Sequence, residues 1–376
     1  MKIKAAVLRA ANPSPPYVQS QALAIEDVWL APPGPGEVLV RIRAAGLCHS
    51  DLSVINGDRP RPLPMVLGHE AAGEVAAVGA HVTDLAEGDH VVFVFVPNCG
   101  HCLPCSEGKP ALCEPAVAAS GAGTLLSGER RFTDRDGRAL NHHLGCSAFA
   151  EYTVVSRRSL IKVDETIDFD TVALFGCAVL TGMGAVVNTA ALRVGQTAAI
   201  IGLGGVGLAA LMGALTAGAR EVIAIDLSAE KRALALSLGA KAAFDGADAD
   251  CAEQVRRATD GGVDHAFEFA GSATAFDLAY RITKRGGVTT TAGLPQSGAT
   301  FPLPLVNMVA EERTVRGSYI GTCVPMRDVP RYMSLYKNGH LAVDKLMSHR
   351  LRLEDINEGF DRLRDGEAIR QIIIFP

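Results

Sequence analysis

The chain has 376 residues, 48% of them hydrophobic and 20% charged, with a formal net charge of −5. That length exceeds one ordinary hydrophobic core and predicts two domains. The mixed, slightly acidic balance excludes nucleic acid or an anionic membrane as the main partner.

The N-terminus, MKIKAAVLRAANPSPP, meets Asn12-Pro13 before any apolar stretch long enough for a signal peptide forms. No apolar run reads as membrane-spanning, because glycines and charges interrupt the alanine-rich windows. Nine cysteines without an export signal then point to thiolate chemistry in a cytoplasmic setting rather than to disulfides.

The first half reads as β. Pro32–Glu37 (PPGPGE) is a turn, and Val38–Ala44 alternates apolar and charged residues as a half-buried strand does. Similar runs recur at Gly73–Val78 and His90–Val96, punctuated by Gly88-Asp89. Residues 114–147, rich in Gly, Ser and Arg, read as an irregular excursion, and residues 168–190 as helical. From Val194 the rhythm becomes β-α-β, with later strands at Gly262–Phe269, Gly286–Ala292 and Thr314–Tyr319. Ile356, Phe360 and Leu363 mark one face of a helix stopped at Gly366, and Gln371–Phe375 is a last buried strand. The fold class is therefore α/β. A doubly wound, Rossmann-type parallel-sheet domain (180–319) is inserted between two pieces of a β-rich domain, 1–179 and 320–376.

Within Thr197–Asp226 an apolar run breaks at Gly202-Leu-Gly204-Gly205-Val206-Gly207, a small-residue helix follows, and a second apolar run ends on Asp226. A bare G-x-G-x-x-G is a weak signal; between strand and helix, with an acid twenty-four residues after its first glycine, it is a strong one. Gly202 allows the turn, Gly204 lets backbone approach a pyrophosphate, and Gly207 lets helix and strand pack closely. The N-terminal N–H groups of the helix face the phosphates. Asp226 accepts hydrogen bonds from the ribose hydroxyls of NAD and repels a 2′-phosphate, while Leu227-Ser228-Ala229 supplies no arginine to hold one.

Cys99, Cys102, Cys105 and Cys113 place four soft ligands within fifteen positions. Two-residue gaps aim successive sulfurs at one centre, and four thiolates close a tetrahedral zinc shell with no place for substrate, so the site is structural. The alternative, an iron–sulfur cluster, fits less well, because the last gap is seven residues and Glu114 rather than proline follows Cys113. His101 is a bystander. Cys48, His69 and Cys177 are dispersed, and spacing alone does not unite them: each also reads as an ordinary core residue.

The run Gly68-His-Glu70-Ala-Ala-Gly73-Glu-Val-Ala-Ala-Val-Gly79 resembles the signature of the zinc-containing medium-chain alcohol dehydrogenases. So do CHSD at Cys48–Asp51, the four-cysteine lobe (97–115), Leu144–Val155, GLGGVG, GGVDHAFEFAG and Ala368-Ile-Arg-Gln. The retained excursion before Leu144 resembles the long, dimeric members, class I and class III, the latter including the glutathione-dependent formaldehyde enzymes. The resemblance implies a GroES-like catalytic domain, a homodimer, NAD, and two zinc ions per chain. It implies that Cys48, His69 and Cys177 hold the catalytic zinc, that Ser50 takes the alcohol proton, and that Asp51 and Glu70 tune the metal. Val206 and Thr181 then lie near the nicotinamide, Lys231 near the adenosine ribose, and His49 and Arg370 at the pyrophosphate. Phe95, His143, Leu144 and Leu294 match the substrate pocket for a primary or secondary alcohol or its carbonyl product.

Three positions depart from the pattern. Ser53 stands where the proton relay often ends in histidine; Val117 stands where the glutathione-dependent class carries arginine; and His143 replaces an aromatic residue, predicting a more polar pocket. Cys146, Cys251 and Cys323 have no assigned role. A thiol-adduct formaldehyde dehydrogenase is the alternative enzyme, and a non-catalytic zinc- and NAD(H)-binding relative the alternative of another class. The three ligands disfavour the latter, as they do a zinc-free quinone reductase.

Overall fold

The computed structural model describes every residue, Met1–Pro376. It divides into two compact units: Met1–Cys177 with Val324–Pro330 and Met347–Pro376, and Ala178–Cys323 with Arg331–Leu346. Residues 331–346, expected with the return segment, thus belong to the dinucleotide unit. Leu341, Val343 and Leu346 are buried there, and Thr216 Oγ1 donates to the His340 carbonyl at 3.0 Å.

The first unit is built on Glu37–Leu47, eleven residues whose inward side chains alternate along the strand. It lies central in a seven-stranded sheet ordered Leu160–Lys162, His90–Phe93, Glu70–Val78, Glu37–Leu47, Gln371–Ile374, His349–Leu351, with Tyr152–Ser156 also pairing to it. Val38, Val40, Ile42, Phe93, Phe149, Phe360 and Ile373 fill its core. A closed barrel completes the unit, running through Lys2–Leu8, Leu23–Leu30, Phe132–Thr133, Ala139–His142 and Met65–Val66. The excursion 114–147 is more regular than its composition suggests. It carries the helix Glu114–Ala122 and two of the barrel strands, whose Phe132 and Leu140 are fully buried.

The second unit is a six-stranded parallel sheet ordered Ala242–Asp245, Glu221–Asp226, Thr197–Ile201, Val263–Glu268, Thr283–Thr291, Thr314–Gly317. This is the 3-2-1-4-5-6 order of a doubly wound nucleotide fold. Thr197–Ile201 is buried at all five positions, as a central parallel strand must be. Ile223, Ile225, Val255, Val263 and Ile282 pack with it.

One helical passage corrects the membrane expectation. Phe169–Ala190 is 22 residues long with a mean hydropathy of 1.7 in its most apolar window, enough to span a bilayer by length and composition. No charge falls between Thr171 and Ala190, and its glycines do not break it. Since 83% of that window is buried inside the protein, it reads as a core helix.

Candidate active site

Cys48 follows the central strand and N-caps the helix His49–Ile55, with extended backbone at φ −128° and ψ 152°. His69 sits between the strands Met65–Val66 and Glu70–Val78. Cys177 lies in a π-helical turn, Phe175–Val179, a distortion that re-aims side chains at functional sites. The preceding Gly176 permits close packing there, since a Cβ on it would meet the Phe93 carbonyl at 2.1 Å.

The donor atoms of Cys48, His69 and Cys177 all lie within 4.8 Å of one another, and all three side chains are buried. Zinc bonds of about 2.3 Å to sulfur and about 2.0 Å to nitrogen, at the tetrahedral angle, separate S from N by roughly 3.5 Å. Cys177 Sγ and His69 Nε2 stand 3.6 Å apart. The donor set therefore fits zinc, with two thiolates to balance the dication and one of four positions left for a substrate.

Behind the ligands, His69 Nδ1 lies 3.1 Å from the Asp51 carboxylate, which leaves Nε2 toward the thiols. A carboxylate behind a ligating histidine fixes its tautomer and raises its basicity. Burial works against charge on both groups. Even so, Asp51 holds His69 well above the ordinary histidine value, and His69 and His143 hold Asp51 below the usual carboxylate range. The Cys177 thiol, then Arg370 and His69, hold Cys48 well below the usual thiol range against the effect of burial. Burial pushes Glu70 up to about 7, with Arg370 opposing from 3.6 Å.

Two expected neighbours face the carboxylates behind the ligands. Arg370, expected at the pyrophosphate, is buried; its Nη1 donates to the Leu47 carbonyl at 3.0 Å and faces Glu70. Burying a guanidinium demands such partners, and Glu70 supplies the charge. His143, expected to add polarity to the pocket, is 1% exposed and turns Nδ1 to within 3.0 Å of Asp51 Oδ1. Phe95 is half-buried and edge-on to His69, with ring centroids 5.1 Å apart, and Leu144 is buried. Ser50 is half-buried and His49 exposed. Ser53 Oγ donates back to the His49 carbonyl at 2.8 Å.

The lobe cysteines Cys99, Cys102, Cys105 and Cys113 also cluster within 4.8 Å. Cys99 Sγ accepts from the backbone N–H groups of His101 and Cys102, and the first of these leads in lowering its thiol to about 6. Cys113 Sγ accepts from Cys99 N–H at 3.2 Å. His101 turns Nδ1 to the Cys99 carbonyl, consistent with its being no ligand.

In the second unit Gly204 N-caps the helix Gly205–Thr216. A Cβ on Gly207 would lie 1.8 Å from the Gly202 carbonyl oxygen, whereas one on Gly204 would meet nothing within 4 Å. One glycine serves packing and the other leaves room for a ligand. Val206 and Thr181 are half-buried, and Leu294 is 53% exposed. Asp226 ends its strand and accepts from the N–H groups of Leu203 (2.6 Å) and Ser228 (2.9 Å), which pins the carboxylate at the turn. Ser228 caps the next helix by accepting from Lys231 N–H. Sequence reasoning missed Arg232, which donates to the Asp226 and Leu227 carbonyls and pairs with Asp245 at 3.1 Å. Its place, one turn past the capping serine, was the available signal.

Known proteins share this organisation. Residues 34–165 match the family model described as alcohol dehydrogenase GroES-like domain, and residues 205–338 match that described as zinc-binding dehydrogenase. An S-(hydroxymethyl)glutathione dehydrogenase of Synechocystis is 39% identical over 358 residues, covering 93% of this chain and 96% of the relative. A Burkholderia ambifaria structure described as an alcohol dehydrogenase zinc-binding domain protein superposes with a TM-score of 0.94 at 35% identity, over 100% and 99% of the two chains. Benzyl alcohol dehydrogenase from Acinetobacter calcoaceticus gives 0.91 at 30% identity over the full length of both. Agreement along nearly the whole chain, on top of the two thiol-rich metal clusters, makes this protein a member of the zinc-dependent medium-chain alcohol dehydrogenase family.

Proposed function

We propose that the chain interconverts a small primary or secondary alcohol and its aldehyde or ketone, using NAD in preference to NADP. The observation that carries this is the buried Cys48–His69–Cys177 set, whose donors fit one zinc and leave a coordination position open. Zinc bound there supplies Lewis acidity toward the alcohol oxygen, and NAD supplies the hydride acceptor. The protein's own residues hold and steer these groups. Asp51 keeps the His69 ring oriented, and Phe95 and Leu144 supply apolar surface for the substrate carbon chain. Ser50, two positions after Cys48, takes the proton that the alcohol loses. The N-terminal N–H groups of the helix Gly205–Thr216 take the pyrophosphate over Gly204, and Asp226 takes the adenosine ribose.

The test is a screen of alcohols and aldehydes, each with and without added thiols, following NADH absorbance on protein of measured zinc content. Zinc- and NAD-dependent turnover without thiol supports the proposal; turnover unaffected by removing zinc overturns it. The relative's name favours a second reading, oxidation of a thiol–formaldehyde adduct. Val117, 61% exposed, offers no charge for a thiol cofactor's carboxylate. Activity on formaldehyde strictly dependent on a thiol would establish that reading instead.

We also read the protein as a homodimer in the cytoplasm. Thr314–Gly317 is an edge strand of the parallel sheet, and the preceding helix leaves Leu305, Val306 and Val309 69%, 79% and 79% exposed. An unpaired edge next to exposed apolar side chains favours association with a second copy. The cysteines gathered as candidate metal ligands, Cys48 with Cys177 and the four of the lobe, suit a reducing compartment.

A further inference from the structure

Asp226 does not stand alone at the end of its strand. Its carboxylate accepts from Leu203 and Ser228, and an arginine holds the backbone of the same turn. Arg232 Nη1 donates to the carbonyls of Asp226 and Leu227, each at 2.8 Å. The same nitrogen lies 3.1 Å from Asp245 Oδ2. Asp245 ends the neighbouring strand Ala242–Asp245, in register with Asp226. Asp226, Arg232 and Asp245 therefore gather at one end of two adjacent parallel strands.

A guanidinium carries five N–H donors on three nitrogens. Here Nη1 makes every contact, so Nε and Nη2 form no hydrogen bond to the protein. The side chain keeps 20% of its surface exposed, and that of Asp245 keeps 42%. In the sequence, Leu227-Ser228-Ala229 holds no arginine for a 2′-phosphate. The fold brings one from the first turn of the next helix, Ala229–Ser237. A dinucleotide site reads NAD with an acid and NADP with a nearby arginine, and this turn carries both.

We propose that Arg232 is a specificity-determining residue at the adenosine ribose, able to hold the 2′-phosphate of NADP once the carboxylates of Asp226 and Asp245 are removed. NADP is rejected by two negative charges rather than by want of a cation. Asp245 neutralises the guanidinium, and Asp226 repels the phosphate. The inference rests on the NAD reading above, in which Asp226 takes the ribose.

The test measures NADH and NADPH affinities, by cofactor fluorescence, in three proteins. They are wild type, Asp226→Ala/Asp245→Asn, and the same pair with Arg232→Gln added. Glutamine keeps an amide N–H for the turn carbonyls and gives up the charge. In the double variant NADH is expected to bind more weakly. NADPH is expected to bind roughly 10- to 100-fold more tightly than in wild type, as one charge-assisted hydrogen bond would give. That gain should shrink as salt is raised. Adding Arg232→Gln should abolish it and leave NADH within a few-fold of the double variant.

An arginine that only braced the turn would weaken both cofactors alike when replaced, and that result overturns the inference. So does weaker NADH with no gain in NADPH in the double variant. A gain that survives Arg232→Gln gives the phosphate to another group and overturns it too. If the glutamine variant does not fold, Arg232→Met replaces it under the same criteria. Wild-type NADH affinity in the double variant refutes the ribose reading itself, and the inference falls with it.

Discussion

Gly204 and Gly207 stand three positions apart in one turn, and the structure predicts opposite outcomes from the same added methyl group. At Gly207 the new Cβ would sit 1.8 Å from the Gly202 carbonyl oxygen and 3.0 Å from its carbon. Both are backbone atoms, so strand and helix must move apart; overpacking of this kind costs about 1–3 kcal/mol. With a urea slope of about 2 kcal/mol per molar, the unfolding midpoint of the dinucleotide unit falls by roughly 0.5–1.5 M. At Gly204 the Cβ meets nothing within 4 Å, and φ −74° suits alanine. Gly204→Ala therefore leaves stability unchanged or raises it by up to about 1 kcal/mol, through the unfolded chain.

The same methyl occupies the space read here as the pyrophosphate's. Losing one charge-assisted hydrogen bond, about 1.5–3 kcal/mol, weakens NADH roughly 10- to 100-fold. The single tryptophan, Trp29, lies in the other unit, so unfolding is best followed by helical circular dichroism and binding by NADH fluorescence. Wild-type NADH affinity in folded Gly204→Ala refutes the pyrophosphate assignment. Wild-type stability in Gly207→Ala refutes the packing argument.

Cys48→Ala is expected to abolish turnover and keep the fold, whereas Cys102→Ala costs stability or solubility, because a closed zinc site contributes folding free energy. Metal analysis giving one zinc per fully active subunit would show that one of the two assignments is wrong. Asp226→Ala should weaken NAD more than NADP; equal wild-type catalytic efficiency with the two cofactors counts against the role given to that carboxylate. Ser53→His introduces a group with an ordinary pKa of about 6.5 at a site where serine only bonds back to the His49 carbonyl. Alcohol oxidation near neutral pH should rise, by at most roughly 100-fold and most where proton release limits the rate. Unchanged pH–rate profiles and deuterium isotope effects, with hydride transfer limiting throughout, place position 53 outside the proton path.

The sites read most directly from the chain are those whose parts are close in sequence. Gly202–Gly207 and Asp226 are joined by one strand–turn–helix–strand unit, so local geometry sets their spacing. Cys99–Cys113 turn about one centre for the same reason. Strands such as Glu37–Leu47 and Thr197–Ile201 announced themselves by alternation or continuous burial. Less legible were Lys2–Leu8, Leu23–Leu30 and the pair within 114–147, where short or polar-flanked strands gain their burial only from closing a barrel.

By itself, then, the sequence determined the local chemistry: the glycine turn, the cysteine lobe and the order of strand and helix rhythms. Tertiary structure alone decided what meets at the catalytic centre. Cys177 and His69 are 108 residues apart, and no spacing rule links them without a resemblance to borrow from. The same holds for His143 and Arg370, whose roles the resemblance implied and whose packing sets them beside Asp51 and Glu70. A buried charge must find a partner wherever the fold brings one, and that partner is set by how strands and loops stack rather than by which residue comes next.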